Sequence, residues 1–149
     1  MGIKIVCQNR KATHDYFIDD SIEAGIVLLG PEVKSLRTGR GNLVDSYARI
    51  QKGEVFLYNM HITAYPYAHN IRLDPDRPRK LLLNKKEIKR LIGKTEEKGY
   101  TLIPTKVYFI KGRIKVELAL AKGKRKYDKR RALKEKEMRK EVDEAKKLY

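Results

Sequence analysis

Residues 122 to 131 read KGKRKYDKRR: seven Lys or Arg, one Asp and a single Tyr. Cations at that density neutralise phosphates, and an aromatic set among them stacks on bases, so the chemistry on offer is the holding of a nucleic acid. Tyr127, between Lys126 and Lys129, has no core to enter, which makes base stacking its natural use. The run buries nothing apolar and is expected to stay mobile until a polyanion organises it.

Other combinations of reactive residues are weaker. His14, His61 and His69 show no metal-ligand spacing. Gly93-Lys94-Thr95 resembles the end of a phosphate-binding loop, but the glycine required five positions earlier is Ile88, inside an amphipathic helix pattern. Asp74 and Asp76, with His69 nearby, have the elements of a metal-dependent nuclease, yet DPDRP reads as turn chemistry beside cations. Glu23 and Glu32 stand out on a basic chain, since carboxylates on an RNA-facing surface accept hydrogen bonds from base amino groups or ribose hydroxyls. Taken alone, each fits a solvated or helix-terminal residue better.

The net charge is +16, with a pI near 9.9. From Lys122 onward there are 13 basic and 6 acidic residues, so the tail carries +7 and the body +9. Both parts are basic, which predicts a footprint along a phosphate backbone. A membrane surface is disfavoured because the tail lacks an apolar face and neither terminus carries a lipidation motif. There is no signal-peptide apolar region and no run of about 20 apolar residues, so a cytoplasmic location is expected. The one cysteine, Cys7, excludes an internal disulfide and reads as a small strand residue.

These residues need a scaffold, and alternating apolar positions supply its pattern. In RIKVELALA, Ile114, Val116, Leu118 and Leu120 face one way and Arg113, Lys115 and Glu117 the other. Lys111-Gly112 joins this strand, taken to end at Leu120, to TLIPTKVYFI, and Lys52-Gly53 joins VDSYARIQ to EVFLYNM, giving two hairpins. DYFIDD and IEAGIVLLG read as two further strands. Two helices are expected. One follows Gly30-Pro31, with Val33 and Leu36 inward and Gly39 as its stop. The other starts at Asn84 with Glu87 in a capping box, carries Ile88, Leu91 and Ile92 on one face, and stops at Gly99. Residues 65–80 read as a long, basic, mobile loop. The sum is a mainly β fold, a closed antiparallel barrel of oligonucleotide-binding type over residues 1–121, with an open sheet as the alternative. Residues 122–149 form a basic tail, expected to be disordered when free and helical on its partner, with Asp128 as a cap and Glu135–Arg139 and Asp143–Lys147 as supporting pairs.

Four strings, NRKATHDYFI, EAGIVLLGPEVKSLRTGRGNLVDSYA, RPRKLLLNKKEI and LALAKGKRKYDKR, resemble the SsrA-binding protein (small protein B) family, the bacterial partner of transfer-messenger RNA. They span nearly the whole chain in order. The resemblance implies about six barrel strands and a basic tail, in an RNA-binding adaptor that is not an enzyme and needs no cofactor. It implies binding to the tRNA-like domain of tmRNA, which is carried, alanylated and with elongation factor Tu, into stalled ribosomes for trans-translation. By motif position the tmRNA surface comprises Asn9, Arg10, His14, Tyr16, Glu23, Lys34 and Arg37. The tail residues Lys124, Tyr127, Asp128, Lys129 and Arg130 are assigned to the ribosomal decoding region and message channel. Many relatives carry His where Tyr127 stands, which removes a protonation-dependent contact and leaves stacking. A monomer is expected. The alternative function is a constitutive ribosomal or general RNA-binding structural protein.

Overall fold

The computed structural model describes residues 2–64, 73–96 and 99–123. Nine strands and three helices follow in the order β1 Lys4–Gln8, α1 Arg10–Asp15, β2 Tyr16–Ile26, α2 Gly30–Arg37, β3 Gly41–Asn42, β4 Tyr47–Gln51, β5 Glu54–Tyr58, β6 His61–Ile62, β7 Arg79–Leu82, α3 Lys85–Thr95, β8 Tyr100–Ile110 and β9 Arg113–Gly123. The tail assignments Lys124, Tyr127, Asp128, Lys129 and Arg130, and His69, lie outside the described residues.

Both expected hairpins form. Lys52 and Gly53 have φ of 51° and 74°, and Lys111 and Gly112 have φ of 48° and 75°. That pair of positive angles twists the two-residue turn with the strands it joins. Pairings run β8–β4–β5–β7–β2–β9 and return from β9 to β8, all antiparallel, so six strands close into a ring consistent with the oligonucleotide-binding type. β1 extends the ring along the second half of β8, and β3 pairs with β6 as a short separate ladder. Inside are Val55, Leu57, Leu81, Leu102, Val107, Val116 and Leu118, with Leu36 of α2 and Leu91 of α3 packed into the same core. As the alternation in β9 requires, Val116, Leu118 and Leu120 are buried inward.

Several sequence expectations change. DYFIDD and IEAGIVLLG do not make two strands: β2 runs unbroken through Ser21 between them, with a bulge between Ile18 and Asp20, and ends at Ile26. α1 was not foreseen, because six residues hold too little periodicity to register. β9 runs three residues beyond Leu120, to Gly123 opposite Tyr16, so the barrel keeps Lys122. In α2 the buried residues are Glu32, Ser35 and Leu36, with Val33 only half-buried. The second helix begins as expected, with Asn84 and Glu87 exchanging hydrogen bonds.

The segment read as a loose basic loop ends in a buried ionic knot. Arg79, 1% exposed, donates from Nε to Glu32 Oε2 at 2.6 Å, from one terminal nitrogen to the Met60 carbonyl at 2.5 Å and from the other to the Pro75 carbonyl at 3.0 Å. Arg77 pairs with both oxygens of Glu32, and Glu32 Oε1 also accepts the Leu29 N–H at 3.0 Å. Glu32 is therefore helix-terminal, as its position suggested, but at 3% exposure it is not solvated. Burial alone would push its carboxyl up; the hydrogen bonds from Arg77, the Leu29 N–H and Arg79 outweigh that and hold it below the ordinary value. Burial draws the Arg79 guanidinium down, against the pull of Glu32. Asp74 and Asp76 do turn work beside the knot: Asp74 Oδ1 accepts the Asp76 N–H at 2.9 Å, and Asp76 Oδ1 lies 2.9 Å from His61 Nδ1. No cluster able to hold a metal occurs among the described residues.

Arg79→Ala would leave the buried Glu32 with only Arg77 and the Leu29 N–H, and is expected to lower the unfolding free energy by about 3 kcal/mol in urea titration. Because the Glu32 carboxyl sits below 4.5 in the folded state, its contribution is complete above that pH. The contribution is lost as pH falls through the folded-state value, so Glu32→Gln should flatten this part of the acid limb. An unchanged acid limb in that variant would remove the knot from the account of stability.

Candidate nucleic-acid interface

β2 is the spine of the site. Tyr16 and Glu23 lie seven positions apart, which in an unbroken strand puts them on opposite faces. The bulge at Asp19 corrects the parity: Tyr16 pairs with Gly123, Ile18 with Ala121, Ser21 with Ala119 and Glu23 with Glu117. All four partners are outward residues of β9, alternating with the inward Val116, Leu118 and Leu120. A second bulge, between Pro104 and Lys106, does the same for β8, bringing Lys106 and Tyr108 onto the face already occupied by Ile103. Proline lacks the ladder N–H, so a bulge is where a paired strand accommodates it.

The outer wall then reads in rows. One row crosses Leu82 of β7, Gly25 of β2, Lys115 of β9, Tyr108 of β8 and Ile5 of β1; the next crosses Glu23, Glu117, Lys106 and Gln8. Within it, the Tyr108 hydroxyl donates to Glu23 Oε2 at 2.5 Å, and Lys106 Nζ lies 3.1 Å from Glu117 Oε2. Burial raises the Tyr108 hydroxyl far above its ordinary pKa, and the Glu23 carboxylate adds to the shift, so the phenol remains a donor. Leu82 is 51% exposed and Ile5 46%. A Cβ on Gly25 would come within 3.1 Å of the Leu82 Cβ, so the glycine lets the leucine lie across β2.

α1 sits on the Tyr16 end of this wall. Ala12 packs with Ile103 and Ala121, flanked by Tyr16 and Tyr47. Asn9 is buried and fully engaged: Oδ1 accepts the Ala12 N–H at 3.2 Å, Nδ2 donates to the Pro104 carbonyl at 3.1 Å, and its own N–H donates to the Thr105 carbonyl at 2.7 Å. It caps α1 and stitches the helix to the β8 bulge. Arg10 and His14 follow on the exposed side of α1, with the His14 side chain 89% exposed and Nδ1 3.4 Å from Asp15 Oδ1. Arg37 of α2 carries its guanidinium 5.7 Å from the Phe109 ring centroid; Phe109 pairs with Ile114 and so belongs to the face of β8 opposite Tyr108. Lys34 is exposed on the same helix.

The seven residues named from sequence thus do not converge on a pocket. They spread along β2 and its flanking helices, about 20 Å from Tyr16 to Glu23 at the usual strand rise along the partner residues Gly123 to Glu117. Sequence reasoning missed Leu82, Tyr108, Lys106 and Lys115. One signal was available: the middle leucine of Leu81-Leu82-Leu83 in a strand must face away from its neighbours. Cys7, half-buried in β1, has its thiol pushed up to about 11 by burial, against a backbone hydrogen bond from Val107, and is not a nucleophile at neutral pH.

The SmpB protein family model matches residues 6–148. The chain belongs to that family. It is 60% identical over 144 residues to the SsrA-binding protein of Syntrophobacter fumaroxidans, covering 97% of this chain and 89% of the relative. It is 56% identical to the SsrA-binding protein of Caldicellulosiruptor bescii, covering 99% and 93%. Among solved structures, a chain from "tmRNA-SmpB: a journey to the center of the bacterial ribosome" superposes with a TM-score of 0.68 at 50% identity, covering 79% of this chain and 83% of that one. The SmpB match includes residues 124–148, so family membership extends through the basic tail.

Asn9→Ala removes a helix cap and the bond to Pro104 together. It is expected to cost about 2 kcal/mol in denaturant titration and to speed amide exchange in Arg10–Asp15 more than in β9. Equal exchange in both segments would show that α1 is held by other contacts.

Proposed function

We propose that this protein is an RNA-binding adaptor that binds the tRNA-like domain of tmRNA and delivers it to stalled ribosomes for trans-translation, acting without catalysis or cofactor. Family membership, relatives named SsrA-binding proteins, and the likeness to a tmRNA-SmpB structure support the reading. The observation that carries it on this chain's own residues is the bulge-corrected wall, which lines up Tyr16 and Glu23 on β2, the strand that links the helices bearing Arg10, His14, Lys34 and Arg37. Cations at both ends suit the phosphates of a folded RNA, and the central carboxylate suits a base amino group or ribose hydroxyl. Asn9 serves this surface by holding α1, and Tyr16 by anchoring α1 to β2.

In this reading the tail enters the decoding region and the message channel, with Tyr127 stacking on a base and Lys124, Asp128, Lys129 and Arg130 as the working part. Elongation factor Tu arrives with the alanylated tmRNA, not through direct contact. The protein acts as a monomer in the cytoplasm. No helix among the described residues is long and apolar enough to cross a membrane.

Truncation after Gly123 preserves every β9 pairing. Such a protein is expected to keep affinity for the tRNA-like domain within a few-fold and to lose peptide tagging in a reconstituted translation system. Arg37→Ala should weaken RNA binding and reduce the salt slope by about 1, whereas Glu23→Gln should lower the preference for the tRNA-like domain over ordinary tRNA at an unchanged slope. Equal affinity of the intact protein for both RNAs at every salt concentration would leave only non-specific electrostatics and defeat the proposal.

A further inference from the structure

Glu23 and Glu117 face each other across β2 and β9, two carboxylates at directly paired positions on a wall proposed to meet a polyanion. Left to themselves they repel, and each is settled by a different donor. Glu117 has the ammonium of Lys106 at 3.1 Å. Glu23 has the neutral hydroxyl of Tyr108 at 2.5 Å. The difference matters: an ion pair cancels the charge of Glu117, while a phenol orients Glu23 and leaves its charge in place. Tyr108 is itself fixed, 4% exposed, with Lys106 Nζ 5.7 Å from its ring centroid. Its hydroxyl reaches Oε2, and Glu23 itself is exposed.

We infer that Tyr108 is a positioning residue for RNA recognition: its hydroxyl fixes the Glu23 carboxylate so that Oε1 accepts a hydrogen bond from an unpaired nucleotide. The inference rests on the reading of Glu23 as an RNA contact and adds what makes that contact selective. A freely rotating carboxylate on a basic protein turns toward the nearest cation, here Lys115, diagonal to Glu23 on β9. Held by Tyr108, it presents a fixed acceptor on a surface otherwise rich in donors, and a phosphate cannot satisfy it. The group that does is a hydrogen-bond donor on the nucleotide, either an exocyclic amino group or a ribose 2′-hydroxyl. A structural role alone, satisfaction of a buried phenol, predicts lost stability and no change in selectivity.

The test is a double-mutant cycle in the full-length protein, with Tyr108→Phe, Glu23→Gln and the double variant titrated against the tRNA-like domain and against ordinary tRNA. Tyr108→Phe keeps the ring and its packing, so melting should change little. Its affinity for the tRNA-like domain should fall roughly 5- to 10-fold, and the double variant should bind no worse than Glu23→Gln. Repeating the titration with loop guanosines replaced by inosine, and with loop 2′-deoxy nucleotides, separates the two donors: one of these RNAs should abolish the Tyr108→Phe effect. If Glu23→Gln itself binds normally, the reading of Glu23 fails. If Glu23→Gln is weakened while Tyr108→Phe has no effect, adds independently to it, or keeps its effect on both altered RNAs, the positioning role fails and the reading of Glu23 stands.

Discussion

The buried contact between Glu32 and Arg79 is the constraint on which the arrangement depends. Arg79 opens β7, a strand that closes the ring between β5 and β2, and a guanidinium there is tolerable only when each of its three nitrogens finds an acceptor. Glu32 and the carbonyls of Met60 and Pro75 supply them, from the first turn of α2, the residue before β6 and the turn before β7. One buried charge therefore sets the relation among three parts of the chain distant in sequence. It also fixes α2, and with it the exposed positions of Lys34 and Arg37.

A second constraint is parity. A strand shows one face with every second residue, and a surface about 20 Å long built on β2 has to keep one phase throughout. The bulges in β2 and β8 each insert a single residue, and with them Tyr16, Ser21, Glu23, Tyr108 and Lys106 share the outer wall. Asn9 locks the β8 bulge from outside by bonding to Pro104 and Thr105. Fold and surface are thus coupled through backbone irregularities more than through the regular ladder.

What was legible in the sequence follows from which signals are local. Lys52-Gly53 and Lys111-Gly112 announced their hairpins because a two-residue turn restricts its own φ angles. Asn84 and Glu87 announced a helix start because their bonds span three residues. The bulges were illegible, since an extra residue changes phase only relative to a partner strand that the sequence does not name. Arg79 was read as part of a loose basic loop for a similar reason: its acceptors are 4, 19 and 47 positions away. The residues proposed to face RNA came from resemblance, which names motif positions but cannot separate Asn9, a structural cap, from exposed Arg10. Nor could it find Tyr108, whose partner Glu23 lies 85 positions earlier.

The central claim is that a folded RNA lies on the wall built by β2, β9 and β8 between α1 and α2. Amide hydrogen exchange of the full-length protein, with and without the tRNA-like domain, tests it most directly. Added protection is predicted in Arg10–Ile26, in Gly30–Arg37 and in β9 around Lys115, with β4 and β5 unchanged. Protection centred on β4 and β5, or confined to residues beyond Gly123, would contradict the account.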